Sequence, residues 1–446
     1  MTDRLEYKGY WYLPGNPDKK VAGVLTYIPE ESIMLELIGW FEQQKNPIEV
    51  FLNQKKENVI HGIASNAKEI TLVNCHASGS INFNCPSPIV RYNCQYLIIG
   101  KHMGSLAEPS FYKARVLSPI LTYWCYPGAL QNNIQFDENN KIKTITISFK
   151  GYTNDENTIN TTRIDENTKL YLKKGVNYNG SEFYLTPKIE QSTFLEIHKK
   201  NDSSINEFLS DIFLYEQFLS LATLKAVECS KIYLYDRDLY QQFENGEKYY
   251  HEVELIYIQQ KDRSEASNKT KRHNFLFDYK TIERKYSDII QKWFTEKEDI
   301  APIRVHLVES IKHKSIFSSI DFLIVIQALE GFCTRFKKEK IKDKDGKITL
   351  GNMLRVIMSE FSCIEKIKND NICIQEVVDS RHYYSHFMDR SKKKHIVDGI
   401  ELFDLTHKLR KLLICCLLQF IGFDYSQINE IFNNSNSSFL AKTNFI

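Results

Sequence analysis

The period of the apolar residues changes along this chain, and that change limits the fold more than any other feature. Over roughly the first 190 residues apolar positions alternate, which places every second side chain on one face of a strand. Examples are Val21-Ala-Gly-Val-Leu-Thr-Tyr-Ile28, Ile33-Met-Leu-Glu-Leu-Ile38, Ile70-Thr-Leu-Val73 and Ile142-Lys-Thr-Ile-Thr-Ile-Ser-Phe149. Gly, Pro and Asn separate these runs, and many short strands joined by turns point to a sandwich or an open barrel. No two runs are bridged by a helical pattern, which argues against a parallel, doubly wound sheet.

A mixed zone follows. Ser203 to Thr223 has helical spacing, with Ile205, Phe208, Leu209, Ile212, Phe213 and Phe218 as its apolar positions, and strand-like runs return at Lys231–Tyr235 and Val253–Ile258. Gln260 to Arg272 is polar and charged and reads as an exposed loop. From about Tyr279 the pattern is helical nearly to the end. The helices expected are Ile282–Phe294, Ser315–Lys340, Leu350–Phe361, Ile374–Phe387 and Leu402–Ile421, joined by Asp345-Gly346, Asn369–Asn371 and a lysine run. Short connections between such helices imply an antiparallel bundle. The expected class is α+β and multidomain. A β-rich, sandwich-like N-terminal domain covers 1–195, a mixed α/β connecting region 196–298, and an all-α helical bundle 299–440.

Composition supports this division. A chain of 446 residues exceeds one ordinary core, and 42% hydrophobic with 26% charged residues is a globular balance. The net charge of +2 selects no class of partner, so local charge has to do so. Ten cysteines lack a framework spacing, and Cys415 and Cys416 lie together in an apolar helical run. The opening Met-Thr-Asp-Arg-Leu-Glu lacks a signal peptide's apolar core. Leu412–Phe423, interrupted by Gln419, falls well short of the ~20 residues of a membrane span. The expectation is a cytoplasmic protein with reduced thiols and no membrane partner.

Arg381-x4-His386 carries the first candidate chemistry. Cleaving RNA without a metal needs a group to move protons between the ribose 2′-OH and the leaving 5′-oxygen, and a fixed cation for the phosphate. Histidine titrates near neutrality and suits the first role; the arginine fork matches phosphate oxygens and suits the second. Spacing alone is weak evidence, because Arg390-Ser-Lys-Lys-Lys-His395 matches it too, in a lysine-rich stretch that reads as a solvated loop. The Arg381 copy follows Ile374-Gln-Glu-Val-Val378 on a helix. Five residues of helix turn about 500°, leaving Arg381 and His386 roughly 140° apart. They could meet across a groove, at a frayed helix end, or with a second subunit's pair. His382 and His386 are the i, i+4 neighbours, a spacing that also serves metal hydrolases, although the intervening Glu and a third ligand are missing.

Glu330 ends the apolar run Phe322–Ala328-Leu329 and is either a surface carboxylate or the group that orients Arg381 or His386. Asp343–Leu350 resembles part of a calcium loop, but its first and last ligand positions would be Ile341 and Asn352, so calcium is rejected. Cys75-His76, Cys85 and Cys94 lack paired zinc-knuckle gaps and read as core thiols. Lys337, Lys338, Lys392 and Lys393 flank the motif in sequence; such clusters are solvated faces that also attract an RNA backbone.

Val377-Val-Asp-Ser-Arg-His-Tyr-Tyr-Ser-His-Phe387 resembles the motif of HEPN ribonucleases, in which Arg and a polar residue precede His by a few positions. The helix ending in Ala328-Leu-Glu330 and the tail Leu413–Phe423 resemble that class as well. Together they look most like the HEPN domain of the ApeA anti-phage family, with Gly9-Tyr-Trp-Tyr-Leu-Pro14 and Gly23-Val-Leu25 fitting the entry to its β-rich N-terminal domain. The resemblance implies a cofactor-free, metal-independent endoribonuclease of abortive infection, with transfer RNA a target by analogy. It implies a homodimer or higher homo-oligomer whose two motifs line one cleft, and a phage-derived trigger acting on the N-terminal domain. By carry-over His386 transfers protons, Arg381 binds phosphate, and His382 takes the polar position that is commonly Asn. The alternatives are a non-catalytic module that binds RNA or protein, and a metal-dependent hydrolase using His382 and His386.

Overall fold

The computed structural model describes residues 4–41, 56–78, 89–126, 128–149, 157–179, 188–258, 274–312, 319–341, 348–437 and 440. The expected loop at Gln260–Arg272, the Asp345-Gly346 turn and Cys85 lie outside these residues. Two compact units divide the chain. The first comprises Met1–Thr122, Gly128–Ile212 and Glu228–Arg263; the second comprises Tyr123–Pro127, Phe213–Val227 and Ser264–Ile446.

The first unit is built on one antiparallel sheet. Strands β1 (Leu5–Tyr12), β2 (Val21–Ile28), β3 (Ser32–Ile38), β4 (Lys56–Ala64), β5 (Glu69–Ser78) and β6 (Ile89–Ile99) run in the order β6-β3-β2-β1-β4-β5, and β5 pairs back onto β6. That last pairing closes a barrel and removes both sheet edges. The closure is thus a barrel seam rather than the face-to-face pair of sheets expected of a sandwich. Alternation explains the interior: Leu25, Ile33, Leu35 and Leu37 point inward and are fully buried. Trp11 joins them because Gly62 faces it, where a Cβ would come within 2.3 Å of the indole.

Strand β6 serves two systems. Its first half pairs with β3, while Tyr96–Ile99 pair with β14 (Lys248–Tyr257). From there the sheet continues through β13 (Lys231–Gln242), β7 (Phe111–Leu117), β12 (Lys188–Ser203), β11 (Thr168–Asn179) and β10 (Thr158–Arg163). The run Ile142–Phe149 forms β9 and pairs with β8 (Leu130–Phe136) in a separate two-stranded ribbon. Helix α1 (Pro119–Trp124) follows β7, and α2 (Ile205–Thr223) follows β12; α2 gives Ile205–Ile212 to the first unit and the rest to the second.

The second unit is helical. Its elements are α3 (Tyr279–Ile282), α4 (Tyr286–Thr295), α5 (Lys297–Lys312), α6 (Ser319–Phe336), α7 (Lys338–Ile341), α8 (Leu350–Glu360), α9 (Glu365–Lys368), α10 (Ile374–His386), α11 (Gly399–Ile421) and α12 (Tyr425–Asn434). The expected helix Ile282–Phe294 is divided by a 3-10 turn at Glu283–Lys285. Helices α5, α9 and α12 lie outside every expected helix. In α5, Pro302 removes an interior backbone donor and breaks the apolar pattern, and α12 opens on a capping box formed by Asp424 and Gln427.

Helix α11 is the axis of this unit. Every side chain from Leu409 through Leu418 is buried, and the helix ends on Gly422, whose φ of 110° suits a residue without Cβ. Its two buried cations are both answered: Arg410 by Asp321 and Ser310, and Lys411 by both oxygens of Asp370 at 3.0 and 3.1 Å.

Candidate active site

Helix α10 carries the motif. Val377, Asp379 and Ser380 face inward, and Arg381 and His382 are half-buried beside them. Arg381 Nη1 lies 3.1 Å from His386 Nε2. This corrects the expectation that one regular helix keeps the pair apart. His386 is the last helical residue, Phe387 turns into the left-handed region at φ 49°, and the guanidinium reaches along this end of the helix. Of the routes open to the pair, the helix end is the one taken, and a second subunit is not needed to join them. Arginine can only donate, so in this contact His386 Nε2 takes the acceptor role.

Glu330 comes from a different helix, α6, and its Oε1 sits 3.6 Å from Arg381 Nη2. That is an ion-pair distance, longer than a hydrogen bond. Both side chains keep over a quarter of their surface in solvent (29% and 26%), so neither charge is sealed from a ligand. The His382 ring centre is 5.9 Å from that of His386. Burial lowers the His382 pKa, and the nearby Lys393, Arg381 and His386 push it down further, against an opposing pull from Asp379.

Three side chains, Asp379, Ser380 and Tyr384, fix the motif helix to the segment that follows it. Asp379 accepts from Gln375 at 2.9 Å, from Lys393 at 3.3 Å and from the His395 amide at 3.3 Å. Ser380 Oγ accepts from the Val397 amide at 3.1 Å, and the Tyr384 hydroxyl donates to the Val397 carbonyl at 3.1 Å. Burial raises the Asp379 pKa, but hydrogen bonds from Gln375, Lys393 and the His395 amide outweigh it and hold the carboxylate ionised below its ordinary range. Sequence reasoning passed over Asp379, Ser380 and Tyr384. The available signal was a carboxylate on the buried face of an otherwise apolar turn, Val377-Val-Asp379.

The four flanking lysines separate. Lys337 donates to Glu360 at 2.7 Å and Gln419 at 3.0 Å, so its charge is met inside the fold. Lys393 is held by Asp379, while Lys338 and Lys392 are exposed. Arg390 of the second Arg/His spacing pairs with Asp398 at 2.6 Å on the surface. Among the described residues no group of three or more His, Cys, Asp or Glu side chains is set to hold a metal ion. Cys75 and Cys94 face each other across β5 and β6, both buried in the barrel. No helix among the described residues is long and apolar enough to cross a membrane.

Comparison with known families places these observations. The family model described as Apea-like HEPN matches residues 323–427, a span that includes Glu330, Arg381, His382 and His386. No curated protein and no solved structure matches the chain. The model described as ApeA N-terminal domain 1 matches residues 6–293, running past residue 195 through most of the 196–298 segment. That match alone covers well over half of the 446 residues, so this chain belongs to the ApeA family and carries an Apea-like HEPN domain.

Proposed function

We propose that the chain is an anti-phage endoribonuclease that cleaves RNA without a metal ion. The observation that carries this reading is the 3.1 Å contact between Arg381 Nη1 and His386 Nε2, with Glu330 3.6 Å behind the guanidinium. A substrate phosphate displaces His386 as the partner of Arg381, and the freed Nε2 lone pair accepts the ribose 2′-OH proton. The 2′-oxygen attacks phosphorus, the bond to the 5′-oxygen breaks, and that oxygen takes as it leaves the proton that His386 gained, which returns the imidazole to its starting form. The products are a 2′,3′-cyclic phosphate and a 5′-hydroxyl. Glu330 is a positioning residue that keeps the fork aimed, and His382, held toward its neutral form, is the second imidazole within reach. Lys338 and Lys392 are the exposed cations of the neighbourhood and draw in the RNA backbone. The β-rich N-terminal part senses a phage-derived trigger, and the active form is a homodimer.

The test is expression of the full chain and its variants in a bacterial host, with RNA ends mapped after induction. Wild type should arrest growth and generate new cyclic-phosphate ends. His386→Ala should lower cleavage by about 10²- to 10⁴-fold, as loss of a general base does. Arg381→Ala should cost on the order of 10²- to 10³-fold, and Glu330→Gln about tenfold. Full phage protection by both His386→Ala and Arg381→Ala would overturn the reading. Cleavage abolished by a chelator would transfer it to the metal-dependent alternative.

A further inference from the structure

The end of α10 holds a residue whose backbone and side chain are both out of the ordinary. Phe387 caps the helix at φ 49°, ψ 41°, a left-handed conformation in which Cβ crowds the backbone and which glycine or asparagine normally occupies. Helix α11 of the same unit follows that rule, ending on Gly422. Its ring adds a second anomaly: 92% of Phe387 is exposed, and among the described residues no large apolar side chain is more so. The backbone strain works against folding, the unburied ring gains nothing from it, and such strain persists where a site uses it. The ring is also one residue from His386, whose Nε2 meets the Arg381 fork at 3.1 Å.

We infer that Phe387 is a stacking platform for an unpaired nucleobase next to the scissile phosphate. This rests on the ribonuclease reading of Arg381 and His386 and adds the class of RNA that the site accepts. Aromatic rings take bases of any identity on their π-face, but only bases freed from a helix offer that face. A duplex keeps both faces of each base stacked on its neighbours, so the platform selects loops, bulges and single strands. The left-handed turn at residue 387 ends the helix there and leaves the ring open to solvent. The exposed Lys392, in the 3-10 turn that follows, adds a cation for the backbone of the same strand. Phe387 thus sets specificity, while the neighbouring histidine handles protons.

Binding separates this inference from catalysis. The full chain carrying His386→Ala is titrated by fluorescence anisotropy into a single-stranded RNA and into the same strand annealed to its complement. Adding Phe387→Ala should weaken single-strand binding by about 5- to 150-fold, the loss of one stacked base, and leave duplex binding unchanged. Phe387→Trp should restore it. Phe387→Gly should raise thermal stability, because glycine relieves the left-handed strain, while still losing affinity; a merely structural residue would not split in this way. In chains with His386 intact, Phe387→Ala should raise KM more than it lowers kcat. Unchanged single-strand affinity in Phe387→Ala would overturn the inference. So would a change of sedimentation state in that variant, which would assign the ring to a contact between copies. If the wild type cleaves no RNA while the stacking difference persists, the nuclease reading fails and with it the placement of the base at a scissile phosphate, and the base-stacking role of Phe387 alone stands.

Discussion

Two helices of the second unit treat their charges in opposite ways. On α11, Arg410 and Lys411 are buried among apolar neighbours, and each is tied to a carboxylate from another element. At the end of α10, Arg381 is half-exposed, 3.6 Å from Glu330, and its other partner is the His386 imidazole. A buried cation without its partner keeps the whole desolvation penalty, so the α11 pairs have to stay closed whenever the unit is folded. The α10 arginine has water as an alternative, and exchanging one partner for another costs little. Side chains of the same chemistry are structural in one place and available in the other, and burial makes the difference.

Breaking the buried pair should give the largest effect on folding. Asp370→Ala leaves Lys411 buried at 4% side-chain exposure with no carboxylate, and should destabilise the unit by about 3–5 kcal/mol in denaturant titrations. A loss under 1 kcal/mol would mean that water reaches the pair and would erase the contrast with α10. Arg381→Ala should lower stability by no more than ~1 kcal/mol in the same titration. Arg381→Lys should leave the fold equally intact without restoring cleavage, since one ammonium cannot reproduce a two-pronged contact with phosphate. Restored cleavage there would reduce the role of Arg381 to simple charge.

The smallest expected effect is on pH dependence. The His382 pKa lies below its ordinary value of 6.5 because of burial and the cations and imidazole around it. Between that lowered value and 6.5 the unfolded chain binds more protons than the folded one, so stability falls as pH falls through this window. His382→Gln removes the titrating group. Its urea midpoint should therefore drop less than that of the wild type between about pH 7.5 and about pH 5.5. An equal drop in both would show that other groups carry the dependence.

The site was partly readable in advance. Arg381, His382 and His386 stand out as residue types at a helical spacing, and Glu330 as an acid at the end of an apolar run. What misled was the angle taken alone: 140° separates the two positions on an ideal helix, and the guanidinium nevertheless comes to 3.1 Å from His386, the last helical residue. Lys337 shows the opposite failure. In sequence it belongs to a basic cluster open to RNA, and in the fold Glu360 of α8 and Gln419 of α11 close around it. No local pattern announces partners 23 and 82 residues away. The clamp of Asp379, Ser380 and Tyr384 on the segment at 393–397 was invisible for the same reason.

The fold divides along the same line. Period-two runs located β2 and β3, and helical spacing located α2, α8, α10 and α11, because which face of an element turns inward is settled by neighbours two to four residues apart. Closure of β1–β6 into a barrel depended on β5 finding β6 as well as β4, and the wider sheet on β6 serving β3 and β14 at once. A strand's alternation states that it has an inside, not which strand lies beside it. The candidate site follows suit. Local sequence supplied an arginine and a histidine of suitable chemistry at the end of a helix. Packing of α6 against α10 brought the Glu330 carboxylate to 3.6 Å from that arginine, a meeting of residues 51 positions apart, since 381 less 330 is 51, that no period encodes.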